Sequence, residues 1–254
     1  MNNFERDYRK ILRQVVVNGR RSENRTGVDT FKLFNQSMTI LLDQGFPIVT
    51  AKKVYFRKAL AEFIWMLRGE TSTQYLNQCD VKWWNDFADE KGELGKVYGY
   101  QMRSFGGHFD QVEYALEQIK KGSRRAVISL WNPNDLEDQA LPCCFTQMIF
   151  YRDGENLSMH ITFRSSDLFL GLPYDVMTSA LMVYYMAKMV NLVPDRLAIT
   201  LVDAHVYECH NEQIKKYLSE PISFLPGISI GEDLSKSNLD PYKSGPFIKA
   251  KLVV

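Results

Sequence analysis

Apolar residues recur along the chain with two different periods. Phe4, Tyr8, Ile11, Leu12, Val15 and Val16 fall at helical spacing, as do Leu60, Phe63, Ile64 and Leu67. Val112, Ala115, Leu116 and Ile119 repeat the pattern behind Asp110, a residue type that caps helix N-termini, and a long apolar helix is predicted over about Thr178 to Met189. By contrast Leu157, Met159, Ile161 and Phe163 alternate with Ser158, His160 and Thr162, the period of a half-buried strand. The Asp153-Gly154 turn joins it to the strand-like run Phe145 to Tyr151, which predicts a hairpin. Further β-rich runs lie at Phe31 to Leu42, Ala126 to Trp131 and Leu197 to Val202. Helices and strands mixed in this way predict an α+β fold with a sizeable sheet. No repeat, low-complexity tract or linker interrupts the patterning before Pro221, so residues 1–254 read as a single domain. The tail after Pro221 reads as irregular and ends apolar, from Ile248 to Val254.

Composition narrows the function classes. With 31 Lys plus Arg against 30 Asp plus Glu, the 254-residue chain has no global field for gripping nucleic acid or anionic lipid, so phosphate binding has to come from local arginines. The stretch Thr178 to Val190 is interrupted by Lys188 and is too short to cross a bilayer. The charged start, with Glu5, Arg6, Asp7, Arg9 and Lys10, is not followed by an apolar region of the secretory kind, which makes a cytoplasmic location the expectation. Cys79, Cys143, Cys144 and Cys209 lack zinc-ligand spacing, and adjacent Cys143 and Cys144 are awkward disulfide partners. At least one is then free to act as a thiol nucleophile.

Several polar residues sit where chemistry is possible. Cys143 follows Pro142 just before a predicted strand, and Arg164, at the end of the partner strand, can supply the positive charge that a thiolate needs; a buried structural cysteine is the alternative. Arg164-Ser165-Ser166-Asp167 reads as a polar run directly after a strand, suited either to a phosphate monoester or to an Arg164–Asp167 ion pair. Lys120 to Arg125 is a basic run, either a solvated loop or an anion site. Asp203, His205 and Tyr207 share one side of an extended chain after a strand, where His205 and Tyr207 can address a sugar hydroxyl; a satisfied structural histidine is the alternative. Glu62, in an otherwise apolar helix, is either on the solvent face or an acid with a raised pKa. Trp83, Trp84, Phe87 and Tyr98 suit either a core or a wall for a flat cofactor.

Taken together, these stretches resemble the thymidylate synthase family over nearly the whole chain. They include Asn24-Arg25-Thr26-Gly27, Leu67-Arg68-Gly69, Val97-Tyr98-Gly99, Ser123-Arg124-Arg125, Leu141-Pro142-Cys143, Phe169-Leu170-Gly171-Leu172-Pro173 and Asp203-Ala204-His205-Val206-Tyr207. The resemblance implies a homodimer formed through a large mixed sheet flanked by helices. It also implies a pyrimidine nucleoside monophosphate as substrate, 5,10-methylenetetrahydrofolate as co-substrate, and no metal. By position Cys143 matches the nucleophile, and Arg25, Arg164 and Ser165 match phosphate ligands. Arg124 and Arg125 match the pair that reaches the partner subunit's site. His205 and Tyr207 match sugar ligands, Glu62 and Tyr98 the proton-handling groups, and Trp84, Asp167 and Gly171 positions near the folate.

Three departures from that family pattern stand out. Asp175 takes the place of an Asn whose amide suits uracil, and Asp there is similar to the cytidylate and deoxycytidylate hydroxymethylases of the family. Cys144 stands where a His usually follows the nucleophile, and Phe87 where many members have a second Trp. The resemblance therefore implies hydroxymethylation of CMP or dCMP. Thymidylate synthesis from dUMP, a 5-methylcytidylate-forming relative and a catalytically silent nucleotide-binding or RNA-binding relative are the alternatives.

Overall fold

The computed structural model describes residues 2–253; Met1 and Val254, at the ends of the charged start and the apolar tail, lie outside the described residues. Helix α1 (Asn3–Asn18) starts where the Asn2 side chain accepts the Glu5 N–H, and it buries Phe4, Tyr8, Ile11, Leu12 and Val15. The predicted cap of α5 (Gln111–Lys120) is present, Asp110 accepting from the Glu113 N–H. Between these lie α2 (Phe56–Leu67), α3 (Gln74–Gln78) and α4 (Tyr98–Arg103).

The strands are β1 (Arg20–Ser22), β2 (Thr30–Leu41), β3 (Val127–Ser129), β4 (Phe145–Asp153), β5 (Asn156–Asp167) and β6 (Val193–Tyr207). They form one six-stranded sheet in the order β1-β2-β6-β5-β4-β3. All neighbours are antiparallel except β5 and β6, which run parallel. A parallel pair needs a crossover, and α6 (Gly171–Met189) supplies it. Pro173 is tolerated in its first turn because a proline's missing N–H has no intrahelical partner there anyway. Helix α7 (Asn211–Ser219) follows β6, and a two-residue pairing of β7 (Ile228–Ser229) with β8 (Asn238–Leu239) is the only sheet in the described part of the irregular tail. One connected core runs from Phe4 to Ile248. No helix among the described residues is long and apolar enough to cross a membrane.

Two strands extend well beyond their predicted ends. Arg164 to Asp167 lie inside β5 rather than after it, and Asp203 to Tyr207 lie inside β6, because Ser165, Ser166 and Asp167 pair with Asp203, Ala204 and His205. Simple alternation fails at this level. Buried Leu157, Met159, Ile161 and Phe163 give way to buried Ser166, and buried Leu197, Ile199 and Leu201 to buried Ala204 and Val206. The same level carries a register shift between Phe145 and Gln147 on β4, and Asn35 on β2 has a φ of 54°. The reversal leaves Ser165, Asp167, Asp203, His205 and Tyr207 on accessible positions. In the other direction, β3 keeps only three residues of the predicted Ala126 to Trp131 run, which frees Trp131.

Candidate active site

The two adjacent cysteines face different surroundings. Neighbouring residues of an extended chain point to opposite sides. Cys143 and Phe145 enter the core, Cys143 with 0% exposure, while Cys144 between them stays partly accessible. Burial pushes the Cys143 thiol up to about 12, outweighing the lowering influence of Arg164. The Cys144 thiol is also raised, first by burial and then by Asp175, but Arg164, a hydrogen bond from Tyr98 and Arg25 all act to lower it. Cys143 was the expected nucleophile. In the structure it is Cys144, rather than the fully buried Cys143, whose thiol is under the influence of Asp175, Tyr98 and Arg25 as well as Arg164, and all four cysteines are free.

Arg164 has a double task. Its Nε donates to Cys143 O at 2.9 Å and one terminal nitrogen to Pro142 O at 2.7 Å, which fixes the peptide that aims Cys144. Its guanidinium lies 5.5 Å from the Trp131 ring centroid, a cation–π contact. The alternative Arg164–Asp167 ion pair is not formed among the described residues; Asp167 Oδ1 accepts from the Phe169 N–H at 2.9 Å instead. Trp131 had no sequence signal, since its role comes from packing between the ends of non-adjacent strands.

Tyr98, at the start of α4, accepts the Cys144 N–H at 2.7 Å through its hydroxyl. Its phenol is pushed well above the usual range by burial, then by Cys144 and Cys143. The aromatic residues form a connected wall: Trp84 stands edge-on to Tyr98 at 5.8 Å and lies 6.0 Å from Phe87, and Trp83 packs on Tyr174 at 5.1 Å. Glu62 lies behind that wall rather than on the open solvent face. Its Oε1 accepts from the indole N–H of Trp83 at 3.0 Å and of Trp84 at 2.6 Å. Burial still raises its carboxyl above the usual range against both hydrogen bonds.

Asp175, on the second turn of α6, is pushed well above the usual carboxylate range, first by burial, then by Glu62 and Asp167. Gly171 lies between two of these carboxyls: a Cβ there would be 3.7 Å from both Asp167 Cβ and Asp175 Oδ2. His205 Nδ1 lies 3.0 Å from Asp203 Oδ1, so the ring donates there and presents Nε2 outward, with Tyr207 edge-on at 5.5 Å. The Tyr207 phenol is raised by burial, then Asp167, and Arg25 lowers it. Ser165 is paired beside Asp203 on the accessible side.

The remaining arginines are not gathered with these residues. Arg25 is exposed in the turn from Asn24 to Val28, close enough to influence Cys144 and Tyr207. Arg124 and Arg125 are exposed on the α5–β3 connection and, among the described residues, make no side-chain hydrogen bond or ion pair.

This donor set fits the expected co-substrate: a flat ring system has the Trp83–Trp84–Phe87 wall to lie on, and Asp167, without an ion-pair partner among the described residues, can accept from its N–H groups. The electrostatic influences of Asp175 and Arg164 on Cys144, of Glu62 on Asp175 and of Asp167 and Cys144 on Tyr207 place these side chains in one neighbourhood. Over residues 6–254 the chain matches the family model described as Thymidylate synthase, and it belongs to that family of enzymes transferring one carbon from methylenetetrahydrofolate to C5 of a pyrimidine nucleotide.

Proposed function

We propose that this enzyme hydroxymethylates C5 of a cytidine monophosphate, CMP or dCMP, with Cys144 as the attacking thiol and Asp175 as the residue that selects the base. The setting of Asp175 carries this reading. Its carboxyl is raised well above the usual range by burial, then by Glu62 and Asp167, which favours the neutral form. A neutral carboxyl has one O–H to donate and one oxygen to accept, which matches N3 and the 4-amino group of cytosine. Uracil presents a donor at N3 and an acceptor at O4, and each buried polar group left unpaired costs about 1 to 3 kcal/mol.

Trp83, Trp84, Asp167 and Gly171 would hold methylenetetrahydrofolate, which supplies the one-carbon unit when bound. Cys144 loses its proton under the influence of Arg164, Tyr98 and Arg25 and adds to C6. Asp175 hydrogen-bonds N3 as negative charge develops across N3, C4 and C5. C5 would take up the one-carbon unit, and Glu62, fixed by two indole donors, accepts the C5 proton through water, with Tyr98 in the same network, as the electron pair of the carbon–nitrogen bond departs with tetrahydrofolate. Water then adds to the exocyclic methylene of the nucleotide, and the electron pair of the C6–sulfur bond is released with Cys144 to give the 5-hydroxymethyl product. Arg25, Arg164 and Ser165 receive the phosphate, and His205 and Tyr207 the sugar.

The proposal includes a second copy of the chain. Ile149, Tyr151, His160, Thr162, Ala198 and Thr200 leave one sheet face incompletely covered, Tyr151 being 63% exposed. A twofold pairing through this face would let Arg124 and Arg125 complete the phosphate site of the partner. The four free cysteines favour a reducing, cytoplasmic setting.

Asp175→Asn tests the base assignment. The ratio of kcat/KM for cytidylate over uridylate should fall by at least about a hundredfold, since an amide presents the uracil pattern. An unchanged ratio would show that the base is read elsewhere.

A further inference from the structure

Trp83 and Trp84 are neighbours in the chain, yet both indoles reach one oxygen of Glu62. Adjacent side chains of an extended segment diverge. Here a tight turn brings them together: Asn85 N–H donates to Lys82 O and Phe87 N–H to Trp84 O, both at 3.1 Å, while the Asn85 side chain donates to Asn77 of α3 at 2.9 Å. Trp84 packs on Trp65 and Tyr98, and Trp83 on Tyr174, whose hydroxyl accepts the Tyr55 N–H at 3.4 Å. Each indole N–H is therefore aimed by its own packing, at 3.0 Å from Glu62 Oε1 for Trp83 and 2.6 Å for Trp84. An aromatic wall needs rings; it does not need two donors converging on a single atom.

An indole N–H only donates, so Oε1 takes both bonds. Oε2 has no hydrogen-bond partner among the described residues, and the Glu62 side chain stays partly accessible. No cation acts on this carboxyl: burial raises it, and the two indoles oppose that, Trp83 before Trp84. The titratable groups that face it are Asp175 and Tyr174 of α6, which both feel its charge, and Tyr98 of α4 behind Trp84. Asp175 is treated differently. Thr178 and Ser179 donate to its backbone carbonyl, and no donor reaches its carboxyl among the described residues. Of two nearby acids, only Glu62 is given donors that favour its charged form.

We propose that Trp83 is a positioning residue for proton transfer: with Trp84 it makes Glu62 the first of the two acids to ionise and leaves Oε2 as the oxygen that takes the C5 proton. The inference rests on the reading of Glu62 as the proton acceptor. The proton passes from C5 through water to Oε2, the C5–H electron pair forms the double bond to the exocyclic carbon, and the carbon–nitrogen pair leaves with tetrahydrofolate. Trp83→Phe keeps a ring against Tyr174 and loses the N–H. In the full-length enzyme, with methylenetetrahydrofolate and whichever of CMP, dCMP and dUMP turns over, the acid limb of its kcat–pH profile should move up by about 1 pH unit, a loss of about tenfold on that limb. The loss should shrink as pH rises, and the folate KM should change less than about threefold. An unmoved limb with a lowered Tm, or a raised folate KM without the pH effect, would reduce Trp83 to wall packing and overturn the proposal. Independently of any variant, proton–nitrogen NMR of the wild-type protein should show the Trp83 and Trp84 indole resonances shifting together through one midpoint as pH rises, and unmoved resonances would contradict the proposal. Glu62→Gln separates the two levels. If it leaves kcat unmoved, the reading of Glu62 fails; if it lowers kcat and abolishes the limb while Trp83→Phe leaves the limb in place, only the role of Trp83 fails.

Discussion

The two ends of the proposed site are built differently. At the base end, Glu62, Tyr98, Cys144 and Asp175 come from α2, α4, the entrance to β4 and α6, and each is recessed, hydrogen-bonded or electrostatically coupled to another. At the phosphate end, Arg25 is exposed on a turn, and Arg124 and Arg125 extend from a loop without side-chain partners among the described residues. Arg164 alone belongs to both, since it grips the Pro142 and Cys143 carbonyls while its charge acts to lower the Cys144 thiol. A neutral pocket that reads a base and lowers the barrier at C6 has to be dry and preorganised. A dianion site has to stay solvated until its ligand arrives, because unpaired buried guanidinium groups would be costly. On the proposed reading, one chain suffices for the chemistry, while the phosphate grip calls for a second.

The largest expected effect distinguishes the two cysteines at the base end. Cys144→Ala should lower kcat on the order of 10⁴-fold or more, whereas Cys143→Ala should mainly cost stability through the cavity it leaves in the core. Steady-state kinetics with thermal melts would separate them, and the opposite assignment would return the nucleophile to Cys143. Next, Glu62→Gln should lower kcat by roughly a hundredfold with the nucleotide KM little changed, because it removes proton handling and leaves the ligands in place. A pure KM effect would make Glu62 a scaffold for Trp83 and Trp84.

The phosphate end can be broken by mixing subunits. If Arg125 serves the partner's site, inactive Cys144→Ala and weakened Arg125→Ala chains should recover about a quarter of wild-type activity after random reassortment, since half the dimers are mixed and each has one intact site. No recovery with confirmed exchange would place Arg125 outside the active site. The smallest effect is on stability. The native-state pKa of Asp175 is raised, so the folded protein binds this proton more tightly than the unfolded chain. Stability is then fully present below the unfolded value near 4 and falls as pH rises towards the native value. Asp175→Asn should consequently raise Tm more at pH 8 than at pH 5; an equal shift at both would show that Asp175 is ionised throughout.

Local features were the ones most readable from the sequence. The α1 stripe, the Asp110 cap and the Asp153-Gly154 hairpin depend on residues within a few positions of one another, and they hold in the structure. The ends of β5 and β6 were missed because the inward alternation reverses after Phe163 and Leu201, so Arg164 and Asp203 look like loop residues although their backbones stay in the ladder. The different burial of Cys143 and Cys144 turns on the same kind of detail. Which of two adjacent side chains enters the core is set by the irregular start of β4, near its register shift between Phe145 and Gln147. Trp131 over Arg164 and the indole pair on Glu62 arise from packing between distant elements, which no local pattern encodes.

The most direct test is to incubate the wild-type enzyme with methylenetetrahydrofolate and, separately, CMP, dCMP and dUMP, following nucleotide mass and dihydrofolate absorbance. Turnover of a cytidine nucleotide to a 5-hydroxymethyl product, with no dihydrofolate formed, is the predicted result. Exclusive turnover of dUMP to a methylated product with stoichiometric dihydrofolate would contradict the role assigned to Asp175.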